Sequence, residues 1–167
     1  SSAASDVYKR QTYKGRGVAT FGDASMFSFH ATKVFHTIEG GAVCFNGEQN
    51  GLKEDLYGLK NFGIRNEVVV DAVGANSKMN EFQAAMGLCN LHHLDQEIDR
   101  RRLVVERYLS GLAGVPGIRL PSFREGLTPN YAYFPVLFED FKADRDQVYD
   151  CLAGHRIYPV SYTHLTL

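Results

Sequence analysis

An α/β lobe followed by a smaller α+β lobe is the fold class this sequence predicts, and three features lead there. Short apolar runs alternate with stretches of helical spacing from Val18 onward, the pattern of layered strands and helices. One stretch from Asn80, uninterrupted by proline before Pro116, reads as a single helix of about 30 residues, near 45 Å at ~1.5 Å per residue. That length suits an element joining two lobes. After Gly117 the character changes to aromatic-rich strand candidates around one short helix.

The first strand candidates are Val18-Ala19-Thr20-Phe21, Met26-Phe27-Ser28-Phe29 and Ala42-Val43-Cys44-Phe45. Their β-branched and aromatic residues, set between Gly22-Asp23 and Gly40-Gly41 as turns, predict buried strands. Asn46 with Gln49 forms a reciprocal cap for a helix lined by Leu52, Leu56 and Leu59. The segment from Phe62 to Lys78 is an irregular connection with a strand-like Glu67-Val68-Val69-Val70 inside it. Asn80 and Gln83 make a second capping box, with Met79 placed as a hydrophobic staple, and Phe82, Met86 and Cys89 start the apolar stripe of the long helix. Leu91, Leu94, Ile98, Val105, Leu109 and Leu112 continue it, and Asp99-Arg100-Arg101-Arg102 reads as a solvated face. Ile118-Arg119-Leu120 and Tyr131 to Phe138 are the next strands, the second an edge strand because Pro135 cannot donate to a ladder. Asp144 and Gln147 cap a helix that ends at Gly154, and Ile157-Tyr158-Pro159-Val160 is a final strand.

Composition narrows the function classes. The 167 residues suit about one domain with a small partner. With 44% hydrophobic and 22% charged residues the chain falls among folded globular proteins. Lys and Arg number 18 against 19 Asp and Glu, so the net charge of −1 offers no bulk attraction to nucleic acid or to an anionic membrane. No apolar run approaches the ~18 residues of a membrane span. The opening residues lack the apolar core of a secretory signal, and a cytoplasmic setting is expected. Cys44, Cys89 and Cys151 are odd in number and far apart, which predicts reduced core thiols rather than a disulfide framework or metal site. His92 and His93 are adjacent on a helix, face apart, and make a poor metal pair.

The stretch Phe27-Ser28-Phe29-His30-Ala31-Thr32-Lys33-Val34-Phe35-His36-Thr37-Ile38-Glu39-Gly40-Gly41-Ala42 carries the chemistry. It sets one lysine among apolar and small residues just after a strand. Desolvation there would disfavour the ammonium and leave more free amine, the nucleophilic form that condenses with a carbonyl. The Ser28 and Thr32 hydroxyls and the backbone of a glycine pair suit a phosphate. The same residues are also compatible with a lysine that merely snorkels from a strand end.

This stretch resembles the active-site segment of the DegT/StrS family of sugar aminotransferases, fold-type I enzymes that depend on pyridoxal 5′-phosphate (PLP). A second block, Gly74-Ala75-Asn76-Ser77-Lys78-Met79-Asn80-Glu81-Phe82-Gln83-Ala84-Ala85-Met86-Gly87, is similar to the family's segment leading into its Gln-Ala-Ala helix. The resemblance spans roughly Thr12 to Val160. It implies that Lys33 is the lysine bonded covalently to PLP, that Ser28 hydrogen-bonds the cofactor phosphate, and that Asn76 reaches the phosphate of the neighbouring subunit in a homodimer with shared sites. Roles for His30, Glu39 and Lys78 do not follow, beyond packing, turn geometry and a contact to substrate phosphate.

The implied activity moves an amino group, usually from glutamate, to a keto group on a nucleotide-linked deoxysugar. A PLP-dependent sugar dehydratase of the same scaffold is the alternative. Relatives with that activity carry histidine where Lys33 stands. A non-catalytic regulator that binds PLP or a sugar nucleotide is the other, and would need no such amine. The implied fold is a partial PLP-binding large domain over residues 12–95, with a mixed sheet and helices. A long helix then leads to an incomplete small α+β domain over 96–160. Residues 1–11 and 161–167 depart from the family's pattern and are expected to be foreign to the fold. The Asp that pairs with the pyridinium nitrogen in the family has no counterpart, so the 167-residue chain alone is expected to be inactive and poorly folded.

Overall fold

The computed structural model describes residues 10–45, 47 and 51–160. The chain divides into two units, one running to Val104 and including Phe123–Tyr133, the other comprising Val105–Ser122 and the residues from Phe134 on.

The first unit begins with a tight ribbon, β1 (Thr12–Tyr13) and β2 (Arg16–Gly17), turned at Lys14 and Gly15. Both turn residues have positive φ (49° and 73°), the geometry that matches strand twist in two-residue hairpins. A later strand, β6 (Leu127–Thr128), pairs with the other edge of β1, so Thr12 lies opposite both Gly17 and Thr128. Val18–Thr20, expected as a strand, is instead a 3-10 turn. The Thr20 hydroxyl donates to the Gly17 carbonyl at 2.7 Å and closes the turn locally, the competition that short polar side chains offer to a ladder.

β3 (Ala24–Ser28) and β4 (Gly41–Phe45) pair antiparallel, from Ala24 opposite Phe45 to Ser28 opposite Gly41. Buried strands are expected here, but the pair forms a two-stranded sheet among the described residues. Met26 and Val43, opposite one another, are 51% and 40% exposed, so among the described residues that face of the pair stays partly open.

The Asn46–Gln49 cap lies outside the described residues. Helix α1 (Leu52–Lys60) starts after Gly51, whose φ of 81° only glycine adopts at little cost. Leu52 and Leu56 are half-buried, whereas Leu59 is exposed. Glu67-Val68-Val69-Val70 is not a strand. The Asn66 side-chain oxygen accepts from the backbone N–H groups of Val68 (3.1 Å) and Val69 (3.0 Å), which removes two ladder donors, and only Val70 bridges, to Ile64.

Helix α2 (Glu81–Leu112) is 32 residues long. Its start is the expected reciprocal cap: Gln83 N–H donates to Asn80 Oδ1 at 2.9 Å and Asn80 N–H to Gln83 Oε1 at 3.0 Å. Its buried face keeps most of the expected stripe, with Met86, Leu94, Ile98, Val105, Leu109 and Leu112 buried or half-buried. Phe82 and Cys89 are exposed, and burial falls on Gly87, Leu94 and Val105 with half-buried Gln83, Met86, Asn90 and Ile98 between. Near its start the helix also turns Gly87 and Asn90 toward the connection between β3 and β4. All three cysteines are exposed, which corrects the expectation of core thiols: Cys89 misses the docked stripe of α2 and Cys44 lies in the partly open β3–β4 pair.

In the second unit, β5 (Ile118–Arg119) pairs antiparallel with β7 (Leu137–Phe138). The edge strand expected from Tyr131 shrinks to those last two residues. Tyr131 has φ +54° and the Ala132 N–H turns back to Asn130 Oδ1 at 3.2 Å, so the backbone before Phe134 curls instead of extending. Gly117, with φ +79°, lets the chain pass against Phe141, where a Cβ would stand 2.5 Å from its Cα. Helix α3 (Arg145–Gly154) opens with the expected capping box, Gln147 N–H to Asp144 Oδ1 at 2.8 Å and Asp144 N–H to Gln147 Oε1 at 3.0 Å. Asp144→Ala is expected to cost about 1 kcal/mol of stability, read as a lower urea midpoint at unchanged slope. Ile157–Val160 forms no strand, and Tyr158 and Val160 are exposed.

Candidate functional site

The backbone of Lys33 is held by the connection 29–40 between β3 and β4 and by what that connection rests on. The Phe29 N–H donates to the Gly40 carbonyl at 2.8 Å and the Thr37 N–H to the Phe29 carbonyl at 2.9 Å, closing the loop at its base. Inside it, the Phe29 and Phe35 rings meet edge to face at 5.2 Å. Thr37 is 2% exposed and its hydroxyl donates to the Glu39 carbonyl at 2.6 Å. Gly40 has φ +149°, and a Cβ there would collide with the Thr37 hydroxyl. That is the reason for glycine at this end of the loop.

The loop is seated on α2. A Cβ on Gly87 would stand 2.9 Å from Thr37 Cγ2 and 3.6 Å from the tip of Phe35, so the helix presents bare backbone where the loop packs. One turn on, the Asn90 amide donates to the His36 carbonyl at 2.9 Å. Glycine and asparagine on the inward stripe of α2 therefore serve the loop.

Within this frame the Lys33 N–H donates to the His30 carbonyl at 3.0 Å, and the side chain is half-buried. Its ammonium donates to the Tyr133 hydroxyl oxygen at 3.3 Å. The expected dry, apolar setting is thus tempered by partial exposure and a polar neighbour. His30 Nδ1 faces the Thr32 N–H (3.3 Å) and hydroxyl (3.0 Å), and Nε2 lies 3.3 Å from Glu39 Oε1. A backbone N–H aimed at Nδ1 makes that nitrogen the acceptor and assigns the ring proton to Nε2, toward Glu39. His30 and Glu39 thereby clamp the two ends of the loop. Ser28, the last residue of β3, accepts from the His30 N–H at 3.4 Å, and its own hydroxyl proton remains a donor.

Asn76 is placed by a different segment. Residues 61–78 fold back on α1 through Ala75 N–H to the Leu59 carbonyl (2.7 Å), Ser77 N–H to the Lys60 carbonyl (2.9 Å) and a bridge between Asn61 and Asn76. The Asn76 side chain is exposed. Lys78 donates to Asn61 Oδ1 at 2.9 Å and lies 4.4 Å from the centre of the Phe62 ring. Ser28 and Lys33 share one segment, and Asn76 belongs to another.

Sequence reasoning missed Tyr133. A tyrosine inside an apparent edge strand carries no sign that it will meet a lysine so far away in the chain, and only the course of 123–133 reveals it. His92 and His93 are both exposed. Among the described residues no cluster of three or more His, Cys, Asp or Glu could hold a metal ion, and no helix is long and apolar enough to cross a membrane.

The donor set fits PLP in chemistry: a primary amine for the aldehyde and, on the same segment, a hydroxyl donor for the phosphate. The model of the DegT/DnrJ/EryC1/StrS aminotransferase family matches residues 4–164. The dTDP-4-amino-4,6-dideoxy-D-glucose transaminase of Shigella dysenteriae is 38% identical over 146 residues, covering 87% of this chain and 39% of that protein. The crystal structure of the aminotransferase TlmJ from Streptoalloteichus hindustanus superposes with a TM-score of 0.81 at 32% identity, over 94% of this chain and 43% of that one. Spr1654 from Streptococcus pneumoniae, in its PLP form, gives a TM-score of 0.77 at 26% identity over 89% and 40%. The chain thus spans about two fifths of the length of these relatives.

Proposed function

The chain belongs to the DegT/DnrJ/EryC1/StrS aminotransferase family, and on that premise we propose that it carries the cofactor lysine of an enzyme that aminates a nucleotide-linked keto-deoxysugar, with glutamate as donor. The observation that carries the reading is the placement of Lys33 and Ser28 on one segment seated against α2. PLP, when bound, supplies an electron sink for bonds at the donor's Cα. Lys33 holds its aldehyde end and, once released, takes the proton from the donor's Cα and returns it at the next stage, acting as base and then acid. Ser28 donates to the phosphate. His30 and Glu39 keep the loop closed around the amine.

Asn76 serves a second copy of the chain in this reading, reaching the phosphate of the partner's site. Its exposure, and its place on a different segment of the chain from Lys33, support that assignment. The substrate class follows the relatives, one of them a dTDP-sugar transaminase. Because the chain covers 39% of that relative, the activity is assigned to the protein at full length, and the 167 residues alone are expected to lack it. Apolar side chains left open in the chain, Val68, Val73 and Phe82 at 89%, 92% and 86% exposure, agree with that division.

The test is stoichiometric. Full-length protein loaded with PLP is mixed with glutamate in the absence of sugar, and pyridoxamine phosphate is measured by absorbance and chromatography. One equivalent per site is expected. No conversion, with PLP still bound, would remove amino-group transfer and leave a binding role.

A further inference from the structure

We propose that Tyr133 is a positioning residue for the Lys33 amine. The inference rests on the reading of Lys33 as the cofactor lysine and adds to it a side chain from the far end of the same unit.

A phenol can do for this nitrogen what no backbone group can. Toward an ammonium, its oxygen accepts; toward the neutral amine, its hydroxyl donates. An amine that must alternate between base and acid is therefore aimed in both states by one partner. At 3.3 Å, Tyr133 stands within reach of that exchange.

The placement of Tyr133 is held by several independent features. Strand β6 ties its segment to β1, and the Lys14 N–H donates to the Gly126 carbonyl at 2.7 Å. The Tyr131 and Phe123 rings meet edge to face at 5.8 Å. Asn130, 3% exposed, accepts from the Ala132 N–H at 3.2 Å, and Tyr131 adopts φ +54°. A buried asparagine and a left-handed non-glycine residue persist only where the surroundings over-determine them. Here they turn the chain so that the next tyrosine reaches Lys33. The ionisable groups on the lysine's own loop are His30 and Glu39, paired with one another, and His36, beside Asn90 of α2.

The experiment measures the lysine itself. Full-length protein stripped of PLP is labelled with a trace of acetic anhydride across a pH series, and acetylation of Lys33 and Lys78 is read by mass spectrometry. In Tyr133→Phe the ammonium loses a charge-assisted acceptor, and the Lys33 profile is expected to move to lower pH by about 0.5 to 1 unit. Lys78, held by Asn61, is expected not to move. Difluorotyrosine placed at Tyr133 keeps ring and hydroxyl, so it reports even where Tyr133→Phe misfolds. Its more acidic phenol ionises beside the ammonium and moves the Lys33 profile to higher pH.

Opposite shifts confined to Lys33 support the proposal. An unmoved Lys33 profile in the difluorotyrosine protein, or equal movement of Lys78, overturns it. Borohydride reduction of the PLP-loaded wild type, with peptide mapping, reports separately on whether Lys33 carries the cofactor. The two failures are thus distinguishable.

Discussion

Lys33→Ala in the full-length protein is expected to abolish covalent attachment of PLP and to lower amino transfer by at least ~10³-fold. Two contributions are lost together, the amine that holds the aldehyde and the base that takes the Cα proton, and a positioned base alone is worth roughly 10²–10⁴. The variant should still fold. Lys33 is half-buried, its loop is fixed by Thr37, Phe35, His36 and Gly87, and none of those contacts uses the lysine side chain. Phosphate binding through Ser28 should survive, so PLP is expected to remain as a free aldehyde that dialysis removes. Absorbance before and after borohydride, together with a rate assay, checks this. A reduced adduct on another lysine, with activity retained, would transfer the assignment away from Lys33.

The second large effect falls on the segment that bears Asn76. Gly63→Ala is expected to destabilise by about 3 kcal/mol, read as a loss of urea midpoint, and to release residues 61–78 from α1. Gly63 has φ +71°, which costs an L-residue roughly 1–2 kcal/mol. A Cβ there would also overlap the Ala72 carbonyl, a backbone group that cannot rotate away. Overpacking of that kind typically adds 1–3 kcal/mol. Across the same fold-back a Cβ on Gly74 would stand 2.9 Å from the Phe62 carbonyl carbon and nearer still to the Gly58 oxygen and the Gly63 nitrogen. Gly58→Ala, on α1 where a Cβ meets nothing within 4 Å, is the matched control and should change the midpoint little. Equal stability of Gly63→Ala and Gly58→Ala would show that the fold-back does not hold Asn76.

The elements that were legible in sequence are those fixed by neighbours a few residues away. The capping boxes at Asn80 and Asp144 need only a side chain and an N–H three positions on, and both occur where the pattern sets them. The β3–β4 ribbon flanks a lysine segment whose residues carry the family resemblance, and so membership of the family was legible before any coordinates. Val18–Thr20 and Glu67–Val70 were misleading for an equally local reason. Thr20 and Asn66 capture backbone groups that apolar composition alone assigns to strands.

The sequence by itself determined where α2 and α3 begin and which family the chain resembles, because capping and motif spacing are short-range. Tertiary structure alone decided which positions along α2 are covered, since that depends on what the helix meets: Gly87 is buried and Asn90 half-buried where the 29–40 loop packs, while Phe82, on the expected stripe, is 86% exposed. It also decided that Tyr133 stands beside Lys33. Residues so far apart meet only through the register of β1 with β6 and the turn at Asn130, and no periodicity in the sequence encodes that meeting.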